Sequence, residues 1–206
     1  KANQPIGKFE FLRQQIDQRD GIQRSLADFI SPCSTPDDFL GCFAVAVHGI
    51  DPIADAQVAQ GDDYEAILIK AVGDRLAEAL AEWLHQKVRC ETWGYASDES
   101  LNNEALIKEQ YQGIRPAPGY PACPDHLDKE QIWSLLKAED TIGARLTENL
   151  AMQPASAVSG YYFAHPESRY LGVGLIADDQ ISDLAQRRNL SLVSMKRWLS
   201  ANLLDA

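Results

Sequence analysis

The chain has 206 residues, 45% of them hydrophobic and 24% charged, a composition suited to one globular domain with a sizeable core. A net charge of −11 repels phosphate backbones and argues against nucleic acid as a partner, and no apolar run approaches the roughly 18 residues that span a membrane. No secretory signal opens the chain, and Cys33, Cys42, Cys90 and Cys123 form no C-x-x-C pair, so the expectation is a cytoplasmic protein with reduced thiols and no zinc site built from them. The first residue is Lys1 rather than Met, which reads as a piece cut from a longer chain.

In chain order, residues 8–17 predict a short helix. The continuous apolar run 39–48 predicts a buried strand, and 52–59 another short helix. Over 63–92, Ile69, Val72, Leu76, Leu80, Trp83 and Leu84 recur at three- and four-residue steps, which predicts a long amphipathic helix with these side chains on the core face. Asp74, Glu78 and His85 fall on its opposite, polar face. A helix over 103–110 precedes residues 112–126, QGIRPAPGYPACPDH, whose four prolines and two glycines forbid a helix and predict a stiff loop. Asp128 is placed to cap a helix over 129–138. Strand-like runs follow at 145–150, 156–163 and 169–176, the last two joined by HPES as a hairpin, and helices over 178–188 and 192–203 begin at the caps Asp178 and Ser191. Helices followed by strands in hairpin order predict an α+β fold with an antiparallel sheet.

Chemistry has several candidate seats. In the proline-rich loop, Arg115 offers a planar guanidinium for a carboxylate and Tyr120 a ring for stacking; the alternative is a surface loop that prolines merely rigidify. Tyr170 offers a hydroxyl to a ligand or simply edges the core. Glu82-x-x-His85 is half of a di-iron pattern, but no second E-x-x-H exists, so a solvated helix face is the simpler reading. Cys123 and His126 sit in one rigid loop with poor geometry for a nucleophile and its base. Arg187, Arg188, Lys196 and Arg197 form either a docking patch for an acidic partner or a solvated face.

Residues 111–126, YQGIRPAPGYPACPDH, resemble the signature of the activation domain of cobalamin-dependent methionine synthase. SLADFISP at 25–32, DDYEAILIKAVGDRLAEALAEWLH at 62–85, RLTENLAMQPASAVSGYYFAHPESRY at 145–170 and SLVSMKRWL at 191–199 agree with it, in order along the chain. The resemblance implies a C-shaped single domain, a bent antiparallel sheet flanked by long amphipathic helices. It places residues 1–206 as the C-terminal portion of that domain, with its N-terminal part absent. It also implies a function: binding S-adenosylmethionine and supporting reductive methylation of cob(II)alamin in an enzyme that transfers a methyl group from methyltetrahydrofolate to homocysteine. Cobalamin and zinc are then held by other domains, and the electron comes from flavodoxin or a flavoprotein reductase.

By the same resemblance, Arg115 holds the methionine carboxylate, Ala117 and Gly119 lend backbone groups, Tyr120 lies near corrin and ligand, and Tyr170 with Leu171 closes the pocket. Glu78 and Glu109 are candidates for its polar rim. No residue of the chain is assigned a catalytic or metal-binding role, so the piece alone is expected to show no turnover. Leu171 stands where relatives often carry an aromatic, and the family's upstream aspartate beside an aromatic run has no counterpart. The alternative is a stand-alone S-adenosylmethionine- or corrinoid-binding adaptor; a D-x-H-x-x-G cobalamin motif elsewhere in the parent chain would separate the two.

Overall fold

A computed structural model describes residues 5–32 and 38–204; Cys33 lies outside them. The two strongest apolar runs become β1 (Gly41–Ala46) and a later strand, Ala157–Tyr162, which pair antiparallel from Gly41↔Tyr162 to Ala46↔Ala157. Gly160 stands opposite Phe43, so the Phe43 ring reaches diagonally to Tyr162 and stacks on it at 4.7 Å. Between these strands come α1 (Ile50–Ala59), α2 (Asp63–Lys87), α3 (Asn103–Ile107), α4 (Asp128–Leu136) and α5 (Ala138–Ile142). The short strands β2 (Arg145–Leu146) and β3 (Met152–Gln153) pair with each other, so Ala157–Tyr162 is β4. Helices α6 (Asp178–Arg188) and α7 (Leu192–Trp198) follow. The class is α+β, with the antiparallel pairing divided between two two-stranded sheets. Among the described residues no helix is long and apolar enough to cross a membrane.

Four expectations need correction. Residues 8–17 are extended, not helical, and Arg13 bridges to Ser25. Burial alternates there with a period of two, taking Glu10, Leu12 and Gln14 inward. The extended course lets Phe9 and Phe11 meet the Tyr161 ring edge-on at 5.2 and 5.4 Å while Leu12 joins the cluster of Val173, Ile181 and Met195.

The 156–163/169–176 hairpin is also absent. The edge of β4 is occupied by the proline-rich loop: Ile114 and Phe163 exchange backbone bonds of 3.0 and 3.1 Å, and the Tyr161 N–H donates to Pro116 O at 2.9 Å. Residues 169–176 therefore turn elsewhere, with the Val173 N–H donating to Pro121 O and Ile176 bridging to Leu203.

Neither predicted aspartate is a cap. Asp128 is buried and accepts from the Tyr161 hydroxyl at 2.7 Å and Arg188 Nη1 at 2.6 Å. Asp178 is the first residue of α6, preceded by Ala177. Ser191 does cap α7, accepting the Ser194 N–H at 3.1 Å.

Helix α2 also turns the other face inward. The buried residues are Ala66, Gly73, Ala77, Ala81 and His85, while Val72, Leu76, Leu80 and Trp83 are exposed. Shape decides this: the small side chains let the helix axis come close to its neighbours. A Cβ at Gly73 would meet Ser156 Oγ at 2.5 Å and Ile50 Cγ1 at 2.8 Å. We expect Gly73→Leu to destabilise the fold by about 1–3 kcal/mol through overpacking. In urea unfolding, Ala71→Leu on the exposed side should stay within about 0.5 kcal/mol of the parent; equal effects at the two positions would contradict the packing.

The C-terminal basic residues are not a free patch. Arg188 pairs with Asp125 and Asp128, Arg187 with Glu10 and Asp183, and Lys196 with Asp178, while Arg197 bonds Asn149.

Candidate functional site

The loop at 114–126 is held against β4 as if it were a third strand, and this closeness depends on Gly160, whose Cβ would run into the Pro116 carbonyl. Beyond Pro116 the loop folds on itself. The Gly119 N–H donates to Cys123 O at 2.8 Å, the Cys123 N–H to Tyr120 O at 2.9 Å, and Cys123 Sγ to Ala117 O at 3.0 Å. Gly119 has φ +95°, and a Cβ there would strike His126. Burial pushes the Cys123 thiol far above its ordinary pKa, so it is a hydrogen-bond donor that braces the turn and not a nucleophile.

Arg115 leaves this loop toward α2. Its Nη2 lies 2.6 Å from Glu82, its Nη1 donates to the Tyr111 hydroxyl at 2.7 Å, and His85 Nδ1 is 3.4 Å from the same Nη1. Its backbone N–H donates to the Tyr170 hydroxyl at 3.1 Å, tying the loop to the segment after β4. Behind this layer Arg89 is fully buried, with Nε and Nη2 each 2.7 Å from Glu99 and Cζ 3.9 Å from the centre of the Tyr111 ring. His85 stacks on Tyr162 at 5.0 Å. Burial, then the Arg89 and Arg115 charges, hold His85 neutral, with its pKa pushed down to about 2. Burial also pushes Tyr111 up to about 12 and raises Tyr170.

These elements enclose a cleft of about 250 Å³. Phe43 and Val158 of the sheet, Pro116, Ala117 and Tyr120 of the loop, and Tyr170 and Leu171 line it, and Arg115 and Glu78 supply its charges. The residues expected from the sequence thus largely converge: Arg115, Ala117, Tyr120, Tyr170, Leu171 and Glu78 share one cleft. Gly119 and Glu109 do not line it. Gly119 turns its N–H inward to Cys123, and Glu109, at φ 51°, is exposed just after α3, near enough for its charge to raise the Tyr170 pKa. The sequence reading missed Glu82, Tyr111 and His85 as partners of Arg115. The available signal was the one-turn spacing of Glu78 and Glu82 on α2, which puts two carboxylates near one guanidinium. Glu82 and His85 serve Arg115, and among the described residues no group of three or more His, Cys, Asp or Glu side chains could hold a metal ion. A second cavity of about 330 Å³, lined by Glu10, Asp128, Arg187 and Arg188, is framed by charges that already pair with one another.

The buried histidine gives the site a pH signature. His85 is protonated more readily unfolded, near its ordinary 6.5, than folded. Its contribution is therefore complete above pH 6.5 and is lost as pH falls, at up to about 1.4 kcal/mol per unit. Between pH 6.5 and 5 unfolding free energy should drop by as much as ~2 kcal/mol. His126, also depressed by burial, acts in the same direction, so His85→Gln should reduce the slope without abolishing it. A slope unchanged in that variant, measured by urea titration at each pH, would contradict the assignment.

The cleft brings a guanidinium, a carboxylate, apolar walls and phenol hydroxyls together. Residues 1–189 match the family model for the activation domain of vitamin B12-dependent methionine synthase. A crystal structure of the MetH reactivation domain bound to AdoHcy superposes with a TM-score of 0.95 and is 48% identical. That match covers 100% of this chain and 64% of the solved one, so the chain spans a little under two thirds of that relative's length. The chain belongs to the family of vitamin B12-dependent methionine synthase activation domains.

Proposed function

We propose that the Arg115 cleft binds S-adenosylmethionine, and that the chain serves reductive methylation of cob(II)alamin in a methionine synthase that moves a methyl group from methyltetrahydrofolate to homocysteine. The observation that carries this reading is the cleft's division of labour: a preordered guanidinium with Glu78 beside it, and walls of Pro116, Ala117, Val158, Tyr170 and Leu171. A zwitterionic amino acid joined to a flat nucleoside has the same division. Arg115 takes the carboxylate on the part of its guanidinium not turned to Glu82 and Tyr111. Glu78 receives the ammonium group. The Tyr170 hydroxyl accepts the Arg115 N–H and so has its own proton to donate to the ligand. Ala117 offers backbone groups, Tyr120 a ring for the nucleoside or corrin, and Gly119 and Glu109 act indirectly, through the turn and through charge.

The partner is the cobalamin-carrying domain of the same enzyme; cobalamin supplies the metal that accepts the methyl group, and zinc belongs to a further domain. Flavodoxin or a flavoprotein reductase donates the electron. Of the basic cluster, Arg187, Arg188 and Lys196 are already paired internally, which leaves Arg197, bonded only to Asn149, as its member without an acidic partner among the described residues. The chain's own part is to hold the methyl donor, and alone it turns nothing over.

Calorimetric titration with S-adenosylhomocysteine tests the binding. One site with Kd below about 1 mM is expected, and at least tenfold weaker binding of 5′-methylthioadenosine, which lacks the amino-acid end. No saturable heat, or equal affinity for the two compounds, would overturn the reading.

A further inference from the structure

The charges around the Arg115 cleft do not cancel. Among the described residues, Arg115 and Glu78 are the charged side chains that line it. A second carboxylate, Glu82, lies behind the guanidinium, 2.6 Å from Arg115 Nη2. Glu78 and Glu82 are one turn apart and stand on the same side of α2. The other Glu82 oxygen, Oε1, is buried and accepts no hydrogen bond among the described residues, so its charge is shared with Arg115 alone.

The groups packed around this set do not offset it. Burial holds His85 neutral. Arg89 is engaged by Glu99, in a pair without net charge. Glu109 is exposed and acts on Tyr170 with the same negative sign as Glu78 and Glu82. Two carboxylates against one guanidinium therefore leave the cleft with a carboxylate in excess. Its apolar walls, among them Val158, Ala117 and Leu171, weaken the screening of that charge by solvent.

S-adenosylmethionine and S-adenosylhomocysteine differ in the matching respect. Both carry a carboxylate and an ammonium group, but only the methyl donor has a sulfonium and so a net positive charge. We infer that Glu82 is a specificity-determining residue: by neutralising Arg115 it leaves the cleft with an excess carboxylate that favours the sulfonium ligand over its demethylated product. This rests on the reading that the cleft binds S-adenosylmethionine, and it adds which of the two charge forms the cleft prefers. It also gives the site a direction. When the methyl group departs, the electron pair of the C–S bond stays on sulfur, and the acceptor, reduced cobalamin, supplies the pair of the new bond. The ligand loses its positive charge inside a site that keeps its excess carboxylate, so the product is held less tightly than the donor that replaces it.

Calorimetry with both compounds, on the parent, Glu82→Gln and Tyr111→Phe, tests the inference, with melts run alongside. The parent should bind S-adenosylmethionine at least about fivefold more tightly than S-adenosylhomocysteine. Glu82→Gln keeps an oxygen for Arg115 Nη2 and removes the charge, so the preference should fall to about twofold or less. A preference that came from packing of the extra methyl group would survive this change. Tyr111→Phe removes the other acceptor of Arg115 and leaves the charge as it is, so both compounds should weaken by a similar factor and the preference should persist. Should Glu82→Gln not fold, the parent's preference must shrink at least about twofold between about 50 and 500 mM salt, since charge attraction is screened and methyl packing is not. Equal affinity of the parent for the two compounds, a preference unchanged in Glu82→Gln, or in its stead one insensitive to salt, would overturn the inference and leave the cleft assignment standing. Binding of neither compound would overturn both.

Discussion

Arg115→Ala is expected to weaken S-adenosylhomocysteine binding tenfold to a hundredfold. A charge-assisted, forked contact to a carboxylate contributes about 1.5–3 kcal/mol, and each 1.4 kcal/mol is a factor of ten. The loss should be one of binding and not of folding. Arg115 pairs with Glu82, whose side chain is 28% exposed and can turn to water when its partner is removed, so stability should change by less than about 1 kcal/mol. Arg115→Lys keeps the charge without the planar fork and should fall between the parent and the alanine variant. Calorimetry on all three proteins, with melts run alongside, separates the effects. Parent-like affinity in Arg115→Ala would remove the cleft's anchor from the account.

The largest stability effect is expected one layer behind, at Glu99→Ala. Arg89 is 0% and Glu99 5% exposed, and they share two contacts of 2.7 Å. Removing the carboxylate strands a guanidinium away from water, at a cost of about 3–5 kcal/mol. Replacing both partners by methionine should recover most of that, because the penalty lies in the unpaired charge more than in the lost bond. Arg89 also lies against the Tyr111 ring, and the Tyr111 hydroxyl accepts from Arg115, so the damage should reach the cleft as weakened ligand binding. Urea unfolding of the single and double variants decides; a loss below about 1 kcal/mol in Glu99→Ala would show that the pair is not buried as described.

How far the sequence could be read differs from element to element. The apolar run at 39–48 and the long helix over 63–92 were evident from pattern, and the loop at 112–126 from proline and glycine alone. Which side of α2 faces inward was not evident. Hydrophobicity favours Leu76, Leu80 and Trp83 as core, whereas the fold buries Ala66, Gly73, Ala77 and Ala81, with Gly73 close to Ser156 and Ile50 and Ala81 in a cluster with Phe43, Val45 and Tyr162. The hairpin failed for a similar reason, since nothing local in residues 156–176 tells that β4 already has Ile114 and Pro116 on its edge. Asp128 has the right place for a cap, but Arg188, distant in sequence, claims its carboxylate. In the candidate site, Arg115, Tyr120 and Tyr170 were legible from residue type and place in the chain, and Ala117, Leu171 and Glu78 through the family resemblance. Glu82, Tyr111 and His85 were not, because their roles exist only once α2 and the loop face each other.

The most direct test of the central claim is a crystal structure of this chain with S-adenosylhomocysteine. The ligand is expected in the cleft between Val158, Ala117, Tyr170 and Leu171, its carboxylate within about 3 Å of the Arg115 guanidinium and its amino group on the Glu78 side. A ligand seated elsewhere, or one in the cleft with Arg115 still turned wholly to Glu82 and Tyr111, would contradict the account.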